Sequence, residues 1–123
     1  MQRKFRLRAN ADFQRVRHIG KSVANRWLVL VWAPNELEHS RFGFAVGKKL
    51  GGAVKRNKIK RRLRTQLRLH LQADHLRSGI DVIIIARHAA KEADYDTLRR
   101  ALNQLLGRAR LWRRRRYGTK NIY

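Results

Sequence analysis

The chain has 123 residues, of which 43% are hydrophobic, and this composition supports one domain with a modest core but no second domain. Its 31 Lys and Arg residues outnumber 8 Asp and Glu residues, so the formal net charge of +23 predicts a polyanionic partner, with nucleic acid favoured over an anionic membrane surface. The absence of cysteine excludes disulfides, a thiol nucleophile and Cys-ligated zinc, and no apolar run approaches the roughly 18 residues that cross a bilayer.

The N-terminal part is predicted to be a basic arm followed by a helix. Residues 1–8 are basic and irregular and lack the apolar run of a secretory signal. Asn10 is a candidate N-cap for a helix over residues 11–18. Phe13 and Val16 share one face of this helix, so we expect it to pack on a sheet.

Two strands are predicted next. Residues 25–33 are apolar on both faces and end at Pro34. Residues 41–46 form a second strand that runs antiparallel to the first through a short loop. Its bulky face should cover a core and consists of Phe42, Phe44 and Val46. Gly43 and Ala45 leave the other face nearly bare, which gives a ligand room to approach the backbone.

A glycine-lysine turn at residues 47–52 leads into a strongly basic helix. The turn can present backbone N–H groups, and the helix adds the positive end of its dipole, so the junction suits phosphate. An apolar residue at every fourth position forms a stripe that should lie on the core. The stripe consists of Ile59, Leu63, Leu67 and Leu71.

The remaining faces of this helix carry cations and no counter-charge. Solvated helices normally mix both signs, yet not one acidic residue occurs from Lys48 to Ala73. We therefore predict that the turn and the helix bind an RNA backbone. The residues assigned to this role are Lys48, Lys49, Arg56, Asn57, Lys58, Lys60, Arg61, Arg62, Arg64 and Arg68.

A third strand and a last helix complete the predicted domain. Residues 80–86 contain a continuous apolar run, which indicates a strand buried on both faces and paired in parallel, so that it closes a β-α-β unit with residues 41–46. Asp94 is a candidate N-cap for the last helix, whose pattern contains Gly107. The buried face of that helix is predicted to be Leu98, Ala101, Leu102, Leu105 and Ala109. The basic tail at 113–123 follows Trp112 and is either disordered or an auxiliary RNA contact.

The sequence shows no catalytic or metal-binding constellation. His70 and His75 are five residues apart and would not share a helical face. Glu36 and Glu38 are close in sequence, but no base supports them. A Walker A loop is excluded because Lys and Ser/Thr do not follow Gly52. We expect no catalytic residue and no metal ligand in the protein.

Several motifs together resemble the bacterial ribonuclease P protein subunit. The most specific are GFAVGKK at residues 43–49 and GAVKRNKIKR at residues 52–61. At matching distances lie DFQRV at 12–16, SVANR at 22–26 and DVIIIAR at 81–87, so the resemblance spans nearly the whole chain. One difference is that the family's Arg-Asn-Arg triplet ends here in Lys58, which lacks the planar fork for a bidentate phosphate contact.

The resemblance implies a fold and two RNA-binding regions. The implied fold is α+β, a single-domain, ribosomal-protein-like two-layer sandwich of order α-β-β-α-β-α with a mixed sheet and a left-handed β-α-β crossover. The basic helix would bind the catalytic RNA. A cleft would take the single-stranded leader of precursor tRNA, with an aromatic ring able to stack a base. The cleft residues would be Phe13, Arg17, Val29, Val31 and Ala45.

The resemblance also implies an activity. The family belongs to an endoribonuclease that removes the 5′ leader of precursor tRNA, with the chemistry and the Mg²⁺ ions held mainly by the RNA. The protein would contribute electrostatics and leader recognition. The implied partners are ribonuclease P RNA and precursor tRNA, in the cytoplasm, with no membrane and no protein partner.

Three alternatives differ in what they predict. A general RNA-binding or ribosomal protein would not distinguish precursor from mature tRNA by leader length. A cationic membrane-active protein would need a broad apolar helix face, whereas the stripe here is narrow. A protein-only nuclease would need several carboxylates converging on divalent ions, and the sequence shows none.

Overall fold

The computed structural model describes residues 1–113, so the predicted tail at 113–123 lies outside the described residues except for Arg113. The helices are α1 (Asn10–Ile19), α2 (Ala53–Gln72) and α3 (Tyr95–Arg108). The strands are β1 (Lys21–Ala24), β2 (Leu28–Pro34), β3 (Arg41–Ala45) and β4 (Ile80–Ala86). Single 3-10 turns occur at Arg3–Phe5, Lys48–Leu50 and His88–Glu92. The predicted α+β domain with a mixed sheet is confirmed.

The four strands lie in the order β1-β2-β4-β3. β4 is antiparallel to β2 and parallel to β3, so the predicted parallel pairing of β3 and β4 is confirmed. β2 and β3 run in opposite directions as predicted, but β4 lies between them and they do not pair. β4 takes this central place because its continuous apolar sequence is buried on both faces.

β1 was not predicted, and the first long strand begins later than expected. β1 is short and mostly exposed, and it exists through its antiparallel pairing with β2. The predicted strand at residues 25–33 begins instead at Leu28, because the Asn25 side chain accepts hydrogen bonds from the backbone N–H groups of Trp27 (3.1 Å) and Leu28 (2.9 Å). These bonds make residues 25–27 the turn of a hairpin.

Helices cover both faces of the sheet, so the α+β domain has three layers where the resemblance implied two. α2 and α3 lie on the face that carries Phe42, where α2 buries Ile59, Leu63 and Leu67 as the stripe predicted. α1 lies on the opposite face, where Val16 is fully buried. The α3 residues predicted to be buried are all buried, namely Leu98, Ala101, Leu102, Leu105 and Ala109.

The two predicted helix caps had different outcomes. Asp94 caps α3 by accepting a hydrogen bond from the backbone N–H of Thr97 at 2.8 Å, and this bond lowers the pKa of Asp94. The prediction for Asn10 was wrong, because Asn10 is already the first helical residue and Ala9 occupies the N-cap. α1 therefore begins without a side-chain cap.

The N-terminal arm lies along the outer edge of β3. Arg6 forms an isolated parallel bridge with Phe42, and the backbone N–H of Leu7 donates to the carbonyl oxygen of Phe42 at 2.9 Å. Leu7 is buried in the same cluster as Val16. The arm therefore covers part of a strand edge that would otherwise be open to another chain. No helix within residues 1–113 has the length and apolar character to cross a membrane.

Candidate nucleic-acid interface

The exposed side of α2 carries cations that have no carboxylate partner within residues 1–113. Among residues 1–113, none of the cations from Arg56 to Arg68 pairs with a carboxylate, whereas Lys55 lies 3.6 Å from Glu92. Residues 114–123 contain no Asp or Glu that could supply a partner. The exposed members of the predicted set on α2 are Asn57, Lys58, Arg61 and Arg68. Uncompensated cations on a stable helix attract a polyanion strongly.

Four further cations of the predicted set are half-buried, and two of these make specific polar or cation–π contacts. Arg62 donates to the carbonyl oxygen of Ala93 at 3.1 Å. The Arg64 guanidinium lies 5.6 Å from the centre of the Phe44 ring, as a cation–π contact. The half-buried residues are Arg56, Lys60, Arg62 and Arg64. Their stems cover apolar surface, so these side chains serve packing as well as charge.

The start of α2 is open to an anion. The first intrahelical bond joins the N–H of Arg56 to the carbonyl of Gly52, so the N–H groups of Ala53, Val54 and Lys55 have no acceptor within the helix. Gly52 occupies the N-cap and has no side chain to cap them. Lys48 and Lys49, in the preceding turn, are exposed. Donors and cations therefore meet at one end of the helix.

A groove of about 590 Å³ lies on the α1 face of the sheet, next to this turn. Arg17 of α1 and the turn residues Lys48 and Lys49 line the groove. Ala45 and Ile85 form the bottom of the groove, and they are directly paired between β3 and β4. The groove thus joins apolar surface to cations, which suits a single-stranded nucleic acid.

Some of the predicted cleft residues lie at the groove, and others do not. Val29 pairs with Ile85 and is half-buried, so it extends the apolar row beyond the groove. Val31 is only 8% exposed and packs with Val16 of α1. Ile85 was missed, since a continuous apolar strand does not reveal which residues face which side. Arg17, Ala45, Val29 and Ile85 lie together, whereas Val31 is covered.

The bare face of β3 is partly filled by the protein itself. A Cβ on Gly43 would meet the Phe13 ring, with Cε1 at 2.8 Å, and the carbonyl oxygen of Leu7 at 2.9 Å. The ring also borders a separate hollow of about 350 Å³ that Lys60 and Arg64 line. The glycine therefore admits Phe13 rather than an external ligand, and the open part of this face is at Ala45.

Replacing Gly43 by alanine should therefore destabilise the domain by about 1–3 kcal/mol, because the new methyl group displaces the Phe13 ring or the backbone at Leu7. The measurement is urea unfolding of Gly43→Ala. Gly47→Ala is the matched control, because a Cβ at Gly47 would meet nothing within 4 Å. Equal stability of the two variants would show that Phe13 does not pack on Gly43.

A buried carboxylate holds α1 against the sheet. Asp81, at the start of β4, is fully buried and accepts two hydrogen bonds from Arg41 of β3, at 2.9 and 2.7 Å. It also accepts bonds from Arg15 of α1 and from Asn35, the latter at 2.9 Å. The bonds to Asp81 raise the pKa of Arg41. This network fixes the helix that carries Phe13 and Arg17.

No group of three or more His, Asp or Glu side chains in residues 1–113 is arranged to hold a metal ion. His70 and His75 are nevertheless close, with their Nδ1 atoms 3.5 Å apart. The two residues do not share a helical face, as predicted, because α2 ends at Gln72; the chain then turns at Asp74, which has a φ of 56°, and this turn brings the two rings together. Burial lowers the pKa of His70, whose Nε2 lies 2.9 Å from Oδ1 of Asn103.

Comparisons with known proteins agree over nearly the whole chain. A family model described as Ribonuclease P matches residues 1–110. The ribonuclease P protein component of Caldanaerobacter subterraneus subsp. tengcongensis is 40% identical over 107 residues, covering 87% of this chain and 90% of its own length.

Two solved structures share the fold. The RNase P protein of Staphylococcus aureus superposes with a TM-score of 0.82 at 41% identity, covering 89% of this chain and 98% of that protein. The RNase P protein of Thermotoga maritima gives a TM-score of 0.76 at 34% identity, covering 84% and 96% of the two chains. With a matching family model, similar sequences and the same fold, the chain belongs to the family of ribonuclease P protein components.

Proposed function

We propose that this chain binds the catalytic RNA of ribonuclease P through α2 and the 5′ leader of precursor tRNA through the groove on the α1 face. Family membership supports the role of a ribonuclease P subunit with an RNA partner. The observation that carries the finer proposal is the placement of uncompensated cations on two surfaces that meet at Lys48 and Lys49. Two RNAs bound there would lie next to each other.

The α2 surface suits a structured RNA. Asn57, Lys58 and Arg61 are exposed on the first three turns, and the free N–H groups at the helix start add neutral donors. Contacts of this kind go to phosphate oxygens and fix position without reading bases. Lys58 supplies a point charge, so a bidentate phosphate contact at that position is not available.

The groove suits a single strand. Its bottom is apolar at Ala45 and Ile85, and its sides carry Arg17, Lys48 and Lys49. Bases can lie on the apolar row while the phosphates face the cations. The leader is single-stranded and is absent from mature tRNA, so this groove would favour precursor over mature tRNA.

The chemistry is assigned to the RNA. Hydrolysis of the phosphodiester at the leader junction releases the leader and leaves the mature 5′ end, and we propose that Mg²⁺ ions held mainly by RNA phosphates support this step. Residues 1–113 offer no cluster of carboxylates or imidazoles for such ions, which supports this assignment. The protein would lower the repulsion between two RNAs and so reduce the Mg²⁺ concentration required.

The decisive experiment is precursor-tRNA cleavage at low Mg²⁺ with the protein alone, a bacterial ribonuclease P RNA alone, and both together. We expect cleavage at the mature 5′ end only in the mixture, and affinity that increases with leader length. A mixture no more active than the RNA alone would contradict the proposal and favour a general RNA-binding protein. Cleavage by the protein alone would contradict the assignment of the chemistry to the RNA.

A further inference from the structure

A second basic surface lies at the far end of α2, where residues 75–77 and 111–113 pair outside the main sheet. The backbone N–H of Arg77 donates to the carbonyl of Leu111 at 2.9 Å, and that of Arg113 donates to the carbonyl of His75 at 2.6 Å. Leu76 and Trp112 form the antiparallel bridge between these two bonds. This short ladder holds Trp112 in a fixed position with its indole half-buried.

Two local features determine how the chain leaves α3 at this position. Arg110 has a φ of 58°, in the left-handed region that glycine or asparagine usually occupies. Gly107 lies inside α3, where glycine weakens a helix, and a Cβ there would be 3.4 Å from Nε1 of Trp112. The left-handed residue ends α3 in a common way, because the N–H of Leu111 donates to the carbonyl of Leu106 at 3.0 Å and the N–H of Arg110 donates to the carbonyl of Gly107 at 3.0 Å. The turn places Trp112 beside Gly107.

The ladder borders a hollow of about 840 Å³ with three arginines around Trp112. Nε of Arg113 pairs with Asp74 at 3.2 Å, and Arg77 donates to the carbonyl of Arg110 at 3.2 Å. Arg110 has no carboxylate partner among residues 1–113. One carboxylate thus faces three cations beside an aromatic ring, so the hollow is positively charged.

We propose that this hollow binds an unpaired nucleotide of the catalytic RNA, with its base on Trp112 and its flanking phosphates on Arg77, Arg110 and Arg113. Aromatic rings flanked by arginines bind single-stranded nucleotides by stacking and charge. The choice of the catalytic RNA rests on the proposed function of α2, because the hollow is on the α2 and α3 side of the sheet. The proposed leader groove is on the opposite side.

The site would set the orientation of the protein on that RNA. α2 spans about 30 Å from its N-cap to Gln72 at a rise of 1.5 Å per residue, so the hollow and the start of α2 are separated by the length of the helix. Two contacts that far apart restrict rotation of a bound domain, which one contact cannot do. The nucleotide at Trp112 would therefore increase the affinity for the catalytic RNA and also fix the orientation of the protein on it.

Arg110→Gly gives a clean test, because it removes a cation and also relieves the left-handed conformation. We expect an unchanged or higher Tm, with binding of full-length ribonuclease P RNA from the same genome weakened about fivefold. Trp112→Ala should weaken binding about tenfold, and Trp112→Phe should restore most of it because a ring remains. Arg100→Ala, an exposed α3 cation outside the hollow, is the charge-matched control and should bind almost as the wild type does.

Wild-type affinity for Arg110→Gly would overturn the site, as would an equal loss in Arg100→Ala. Loss of precursor-tRNA binding to the assembled enzyme, with unchanged binding of the catalytic RNA, would overturn the assigned occupant. Arg61→Ala separates this inference from the proposed function. If Arg61→Ala weakens binding of the catalytic RNA and the variants in the hollow do not, the α2 interface is supported and the proposed site at the hollow is wrong. A wild-type protein that fails to bind the RNA would overturn both.

Discussion

Asp81→Asn is expected to lower the free energy of unfolding by about 3 kcal/mol, which corresponds to a fall in Tm of about 10 °C. The carboxylate is fully buried and accepts hydrogen bonds from Arg15, Arg41 and Asn35. A neutral amide cannot compensate two guanidinium groups, and its NH₂ would face donors instead of accepting from them. The penalty is that of partly buried charges left without their counter-ion.

Asp96→Asn is the matched control for this prediction. Asp96 also pairs with two arginines, Arg99 at 2.5 Å and Arg100 at 3.1 Å, but its side chain is 54% exposed. Solvent replaces such a pair at little cost, so its loss should change the unfolding free energy by about 1 kcal/mol at most. Urea unfolding of both variants distinguishes burial from charge. A similar loss of unfolding free energy in the two variants would show that the Asp81 network does not stabilise the packing of α1 on the sheet.

Local periodicity predicted the parts of the fold that depend on local spacing. The stripe of Ile59, Leu63 and Leu67 is buried as expected because a helical period fixes which residues share a face. Alternation in β3 likewise placed Phe42 on the α2 side and Gly43 on the α1 side. In both cases a few neighbouring residues are enough to predict which side chains face the core.

Pairings between distant segments were not predictable in this way. β4 separates β2 from β3, and β1 forms only because β2 offers it an edge. Asp81 was visible only as part of a motif, because nothing near it in sequence reveals Arg15 or Arg41 as partners. The approach of His70 and His75 depends on where α2 ends and on the left-handed turn at Asp74.

In the predicted interface, too, the features set by local sequence could be predicted and those set by contacts between distant segments could not. The cations of α2 could be predicted from charge alone, and Lys58 and Arg61 are exposed as an interface requires. The cleft depends on which side chains cover the sheet, so sequence could not show that α1 buries Val31 or that Phe13 fills the space above Gly43. Ile85 emerges as a central groove residue only through its register with Ala45.

The largest expected effect on RNA binding is that of Arg61→Ala combined with Arg68→Ala. The two arginines are exposed, lie seven residues apart on one face of α2 and have no carboxylate partner within the described part of the chain. If each neutralises one phosphate, the slope of log K against log salt should decrease by up to about 2, and affinity at 0.1 M salt should fall by up to about 60-fold. Arg64 is less suitable than Arg68 because it packs on Phe44, so its removal would also alter folding.

Arg99→Ala combined with Arg100→Ala removes the same charge from a second helix and is the control. These arginines share Asp96, so their removal should change the slope much less than the α2 pair does. The salt titration with ribonuclease P RNA therefore separates a located interface from general attraction to a protein of net charge +23. Equal changes in the two double variants would mean that α2 is not the docking surface. A change confined to the α2 pair would assign the contact to Arg61 and Arg68, because the net charge of the two proteins is identical.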